Sequence, residues 1–248
     1  MAPAVHPPGP FSFQVDMRSF PLLLALLLVA GCSGRPPLAK DPPKPVDAPD
    51  SLRLLLAIEA GKDISYALSS DRFPELNGGT VSIRGMAPGV GSFEYSDKAG
   101  KVRLSGRIDE HGALSVQRPS EETGDYLLFM SLLFLLPKGA LGQSTLNEEV
   151  ALLPDPLVYV FGKASWTLGG EEEFLDRPCR LAGCETSLDI AGRQDGKLTG
   201  RMKARLVCRY DAASKRLLAV EARVKANYRD PAAVDSVPET TILVRLRE

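Results

Sequence analysis

The chain has 248 residues, enough for one or two domains, with 44% hydrophobic residues, 25% charged residues and a formal net charge of −1. That near-neutral balance excludes the strongly basic signature of a nucleic-acid binder. Pro (20) and Gly (22) are generous, and much of the Pro lies in the first fifty residues.

Residues 1–16, MAPAVHPPGPFSFQVD, carry neither a basic region nor a hydrophobic period, and read as an overextended start. Residues 17–31 read as a signal peptide that begins at Met17. Arg18 gives a short basic region, Pro21 to Val29 an apolar run, and Ala30-Gly31 a small-residue cleavage site. The run is too short for the ~20 residues a membrane-spanning helix needs. Residues 32–50 hold Cys32 and a segment with six prolines, SGRPPLAKDPPKPVDAPD, whose apolar content is little more than Leu38 and Val46. Such a segment extends by ~3.1 Å per residue as a semi-rigid tether.

Val29-Ala30-Gly31-Cys32 resembles the lipobox of bacterial lipoprotein signal peptides. The resemblance implies that the Cys32 thiol receives a diacylglycerol, that the signal is cut before Cys32, and that the new amino terminus is acylated, for example with palmitate. Several acyl chains on one residue anchor stably, at about 0.8 kcal/mol per buried CH₂. The partner so implied is the membrane itself. Ser33, where an Asp would favour inner-membrane retention, leans the location toward the periplasmic face of the outer membrane, with the inner membrane and cell surface left open.

Residues 51–248 are expected to form a single β-rich domain. The fold class is mainly β: an antiparallel curved sheet, sandwich or half-barrel with one short buried apolar helix. Strands are read at Leu52–Ile58, Asp63–Ser69, Thr80–Arg84, Ser92–Ser96, Val102–Ile108, Ala113–Val116 and Leu157–Leu168. Further strands are read from Cys184 to Ile190 and at Thr240–Leu246. The pattern is clearest in LTGRMKARLVCRY, where Leu198, Gly200, Met202, Ala204, Leu206, Cys208 and Tyr210 alternate with polar residues. After DAASK the alternation resumes from Leu218 to Tyr228, so the two strands form a long hairpin. Arg193-Gln194-Asp195-Gly196 reads as the turn that precedes it.

Tyr126 to Leu136 breaks the alternation with an apolar run interrupted only by Ser131. Thr123 or Asp125 can cap a helix there, and Pro137 with Gly139 ends it. Tyr126, Leu127, Phe129, Met130, Leu132, Leu133 and Leu135 make it apolar on all sides, so it must be buried. It plugs the open face of a curved sheet, or is a movable lid over a lipid cavity, or makes an interfacial contact. This arrangement resembles, in architecture only, periplasmic lipoprotein carriers of the unclosed-barrel type, which would imply an apolar ligand on the concave face. The mature part also resembles uncharacterised envelope lipoproteins with an apolar segment such as Leu135-Leu136-Pro137. That resemblance implies no activity.

An exported protein meets an oxidising compartment. A three-residue loop centred on Gly196 would set Cys184 opposite Cys208, making them the disulfide candidate, with Cys179–Cys184 the runner-up and three buried thiols the remaining alternative. No metal site is read: three cysteines lack a fourth ligand and no histidine lies nearby. No cofactor motif is present, and His111 reads as a surface imidazole at a turn tip. Glu171-Glu172-Glu173 reads as a solvated turn, and Trp166, the one tryptophan, as core. Arg201, Lys203, Arg205, Arg209, Arg223 and Lys225 form an outward basic row, either a phosphate-facing patch or a face balanced by Glu185, Asp189 and Glu221.

These readings add up to a lipid-anchored cell-envelope protein without enzymatic activity: a binding or carrier module for an apolar ligand or an envelope component. The alternative is a structural or assembly factor that binds another envelope protein.

Overall fold

The computed structural model describes residues 51–116, 121–152, 158–192, 196–211, 213–214, 216–228 and 237–247. All of them belong to the compact unit of residues 35–248. The signal peptide, Cys32, the proline-rich tether and residues 193–195 of the expected turn lie outside them.

Among the described residues, eleven strands follow in chain order. They are β1 (Asp63–Ser70), β2 (Thr80–Ala87), β3 (Val90–Ser96), β4 (Val102–Asp109), β5 (Leu114–Ser115), β6 (Leu146–Leu152), β7 (Val158–Phe174), β8 (Arg177–Gly192), β9 (Leu198–Asp211), β10 (Arg216–Tyr228) and β11 (Val237–Leu246). They build one open antiparallel sheet in the order β5-β4-β3-β2-β1-β11-β10-β9-β8-β7-β6. Two meanders, β1–β5 and β6–β11, are joined where β1 pairs with β11. The mainly β fold class is thus the observed one.

The alternation in the sequence explains the core. Along β9, Gly200, Met202, Ala204 and Leu206 are buried while Arg201, Lys203 and Arg205 are exposed. On β10, Val220, Ala222 and Val224 face the same side, opposite Cys208, Leu206 and Ala204. The expected β9–β10 hairpin therefore forms in that register.

One helix, α1 (Glu121–Leu133), lies between β5 and β6 in the chain. These are the two edges of the sheet, so the connection must cross from one side to the other. The helix makes that crossing over one face and touches β4, β5, β6 and β10. A segment that meets both flanks and the middle of one sheet requires the sheet to curve around it. The helix starts earlier than expected, so Thr123 and Asp125 fall inside it and neither is the cap. At ~1.5 Å per residue its thirteen residues span ~20 Å.

Two further corrections concern strands. Leu52–Ile58 is not a strand, although Leu54, Leu56 and Ile58 alternate into the core. Its backbone bonds scatter: Leu52 pairs with Leu141, Leu56 N–H donates to Glu110, and Ile58 accepts from Gly89. No single partner strand runs beside it. Conversely, β6 is not legible in the sequence, because the adjacent Glu148 and Glu149 blur its alternation.

Candidate functional site

The concave face is the first candidate, because a carrier would hold its ligand there. It is filled by the chain's own residues. Leu127, Met130, Leu132, Leu133, Phe134 and Leu136 are each at most 3% exposed. Phe134, just past α1, stands edge-on to Tyr66 of β1 at 5.5 Å and to Phe93 of β3 at 5.9 Å between ring centroids. Phe134, one of many apolar residues in the run Tyr126 to Leu136, is the central aromatic of this contact. Tyr126, Phe129 and Leu135 are only partly buried. Tyr126 meets Tyr95 at 5.4 Å and Phe129 meets Phe73 at 5.0 Å.

The far end of the segment is fastened. Leu136 N–H donates to the His111 carbonyl at 3.3 Å. Gly112 has φ +78°, and a Cβ there would overlap the Phe134 carbonyl oxygen. His111 sits in the expected turn with its side chain 32% exposed. Its ring is partly covered, with Nδ1 buried and Nε2 3.9 Å from Glu110 Oε1.

The thiols come next. The β8–β9 register sets Cys184 opposite Leu206 and Cys208 opposite Ala182. The expected pairing of Cys184 with Cys208 is thus offset by two positions. Cys179, Cys184 and Cys208 are all free and buried. Burial pushes the Cys208 thiol up to about 12 and raises Cys184 well above its usual range. Thiolate is the reactive form, so these groups are packing residues rather than nucleophiles. Trp166 lies opposite Cys184, fully buried, as core.

The basic row separates into two parts. Arg201 bonds Asp189 at 2.8 Å and Arg205 contacts Glu185 at 3.2 Å, both across strands β8 and β9. Lys203 and Lys225 are exposed, and Arg223 lies 3.8 Å from Glu239. Arg209 departs from the row. It is 7% exposed, its Nε lies 2.6 Å from Glu172 Oε1 and its Nη1 3.2 Å from Glu221 Oε2. Its guanidinium also lies 5.1 Å from the Phe174 ring centroid, with that of Arg245 at 5.7 Å.

The cause is a fold in the β7–β8 hairpin. A one-residue bulge falls between Leu168 and Glu171, at Gly169-Gly170, and bulges bend the strand that carries them. The turn is Leu175-Asp176, both with φ 55°. The bent tip brings Glu172 and Phe174 over the outer face of β9 and β11. Glu171-Glu172-Glu173 is therefore strand rather than solvated turn, and Glu172 is an ion-pair partner.

The edge strand β6 is the remaining feature. Its one strand neighbour among the described residues is β7. Asn147, Glu149 and Ala151 are exposed, while the Glu148 carboxylate accepts from Gly139 N–H at 2.9 Å and Lys138 N–H at 3.0 Å. The opposite edge, β5, has two residues. The longer edge thus offers seven residues of backbone for strand addition.

No protein-family model and no curated protein matches the chain. Among solved structures, the chain is similar to a Bacteroides fragilis protein described as exported and as having a YmcC-like fold, at 10% identity. The match covers 79% of this chain and 100% of that one, with a TM-score of 0.31.

Proposed function

We propose that the chain is a lipid-anchored protein of the cell envelope whose β domain is a non-enzymatic binding module for another envelope component, engaged from the domain's exterior. The Leu22–Cys32 segment carries the anchoring part of this reading. The filled concave face carries the rest. Uncovering six fully buried side chains at about 1.5–3 kcal/mol each would demand roughly 10 kcal/mol or more. The entire stability of a domain is about 5–15 kcal/mol. A helix held that firmly is structure, not a lid, and an apolar ligand has no place beneath it.

The exterior offers the β6 edge and the exposed Lys203 and Lys225. Photo-crosslinking in intact cells tests the reading, with the reactive residue at Asn147, Glu149 or Lys203. A discrete adduct with one envelope component is expected from at least one position. Absence of any adduct, with the protein folded and exported, would overturn the reading.

A further inference from the structure

We infer that the rim at one end of the sheet carries an anion-binding cleft, built by Lys62, Arg177, Arg216 and Arg247, that takes a phosphate-class group. The cleft encloses about 310 Å³, within the lower range of small-molecule sites. It lies where four strands begin or end: β1 starts at Asp63, β8 at Arg177, β10 at Arg216, and β11 has just ended before Arg247. Arg247 N–H donates to the Ser65 carbonyl at 2.7 Å, which fixes the last turn of the path against β1.

Charge decides what this cleft would accept. Lys62, Arg177, Arg216 and Arg247 line it against two carboxylates, Glu59 and Asp63. Both carboxylates are engaged, Glu59 with Lys62 and Asp63 with Arg84 at 3.4 Å. Arg177 reaches Asp211 at 3.8 Å. Among the described residues, Arg216 and Arg247 have no carboxylate within ion-pair distance. The guanidiniums of Arg216 on β10 and Arg247 just past β11 line the same cleft, and a guanidinium's planar fork suits a tetrahedral oxyanion, while the Arg216 charge also acts on Glu59. Ala57, Ile64 and Leu246 give the same cleft an apolar wall. The group it fits is a phosphate, either free or carried on a small organic body such as a lipid headgroup.

The inference goes beyond the proposed function and stands apart from it: none of the residues lining the cleft belongs to β6. Its test is equilibrium dialysis of labelled inorganic phosphate against the full chain in nonionic detergent. Saturable binding near one per chain is expected, with affinity at least tenfold weaker in Arg216→Gln/Arg247→Gln. Arg201→Gln/Arg205→Gln, exposed on β9 and outside the cleft lining, should bind as well as the parent. Arg247→Gln alone, at the chain's end, serves if the double variant does not fold, and should weaken binding severalfold. Displacement by glycerophosphoglycerol, a phosphodiester headgroup, would assign the site to lipid. Displacement only by glycerol phosphate, a monoester, would assign it to a free phosphate compound. Non-saturable uptake, or binding equal in parent and Arg216/Arg247 variants, would overturn the inference.

Discussion

Arg209 donates its Nε–H to Glu172 across 2.6 Å, a bond that ties the bent tip of the β7–β8 hairpin to the outer face of β9. The same guanidinium reaches Glu221, which is 3% exposed and keeps a second oxygen without a partner among the described residues. Removing the cation would leave a buried carboxylate uncompensated. Arg209→Ala should lower stability by about 3–5 kcal/mol, read from urea unfolding. Glu172→Gln, on the less buried arm, should lower it by about 1 kcal/mol. A loss for Arg209→Ala as small as that of Arg201→Ala would show that the hairpin tip does not cover this site.

Phe134 holds the helix segment to the sheet through Tyr66 and Phe93. Phe134→Ala should destabilise the domain by about 3–5 kcal/mol, since a fully buried ring leaves a cavity that the curved sheet cannot close. Phe134→Leu should be milder, within about 1–2 kcal/mol, because most of the volume stays filled. Thermal and urea unfolding read both.

Gly112 is the matching test on the backbone side. Its φ of +78° disfavours any side chain, and a Cβ would overlap the Phe134 carbonyl. Gly112→Ala should cost more than about 2 kcal/mol, while Gly100→Ala, with the same φ but open space, should cost about 1 kcal/mol. Equal losses at the two glycines would contradict the packing of Gly112 against the helix segment.

The offset between Cys184 and Cys208 leaves the thiols of Cys179, Cys184 and Cys208 reduced and buried. Alkylation of the native protein at pH 8 should be slow, and all three should react once urea unfolds it. Dithiothreitol should leave the melting temperature unchanged. A melting temperature that falls with reductant would show a disulfide among them.

Asp97 gives a pH dependence of known sign. Burial pushes its carboxyl up, but the Lys101 and Ala99 N–H groups at 3.0 and 2.9 Å and Arg103 at 2.8 Å outweigh this and hold it below the ordinary 3.8. A carboxylate with a lowered folded value stabilises fully above the unfolded value and loses that contribution as pH falls through the folded value. Asp97→Asn should therefore be less stable than the parent at pH 7, with the difference fading below about pH 4. Urea midpoints measured from pH 2 to 7 read it. A difference that grows toward acid pH would contradict the sign.

Much of the fold is legible in the sequence because alternation is a local signal. Met202, Ala204 and Leu206 against Arg201, Lys203 and Arg205 mark a strand whatever its neighbours do. The apolar run Tyr126 to Leu136 marks a buried helix in the same local way, although α1 starts at Glu121 and ends at Leu133, before the run does. Register is not local: the alternation alone does not say whether Cys184 meets Cys208 or Leu206, and the strands pair it with Leu206. Nor does alternation reveal what covers an outer face. Arg209 has the parity of Arg201, but a bulge at Gly169-Gly170 brings Glu172 and Phe174 over it. The cleft of Arg177, Arg216 and Arg247 draws on strand ends far apart in the chain, which the successive pairing of β8, β9, β10 and β11 brings together, while the β1–β11 pairing adds Lys62.

Mass spectrometry of organic extracts tests most directly whether this domain works from its exterior. The full chain would be purified in a detergent that lipids can be distinguished from, then extracted under denaturing conditions. No non-covalent lipid at stoichiometric level is expected, with acyl groups confined to the Cys32 peptide. One tightly held lipid per chain, lost on Leu132→Asp in a folded variant, would contradict the filled concave face and make the domain a carrier.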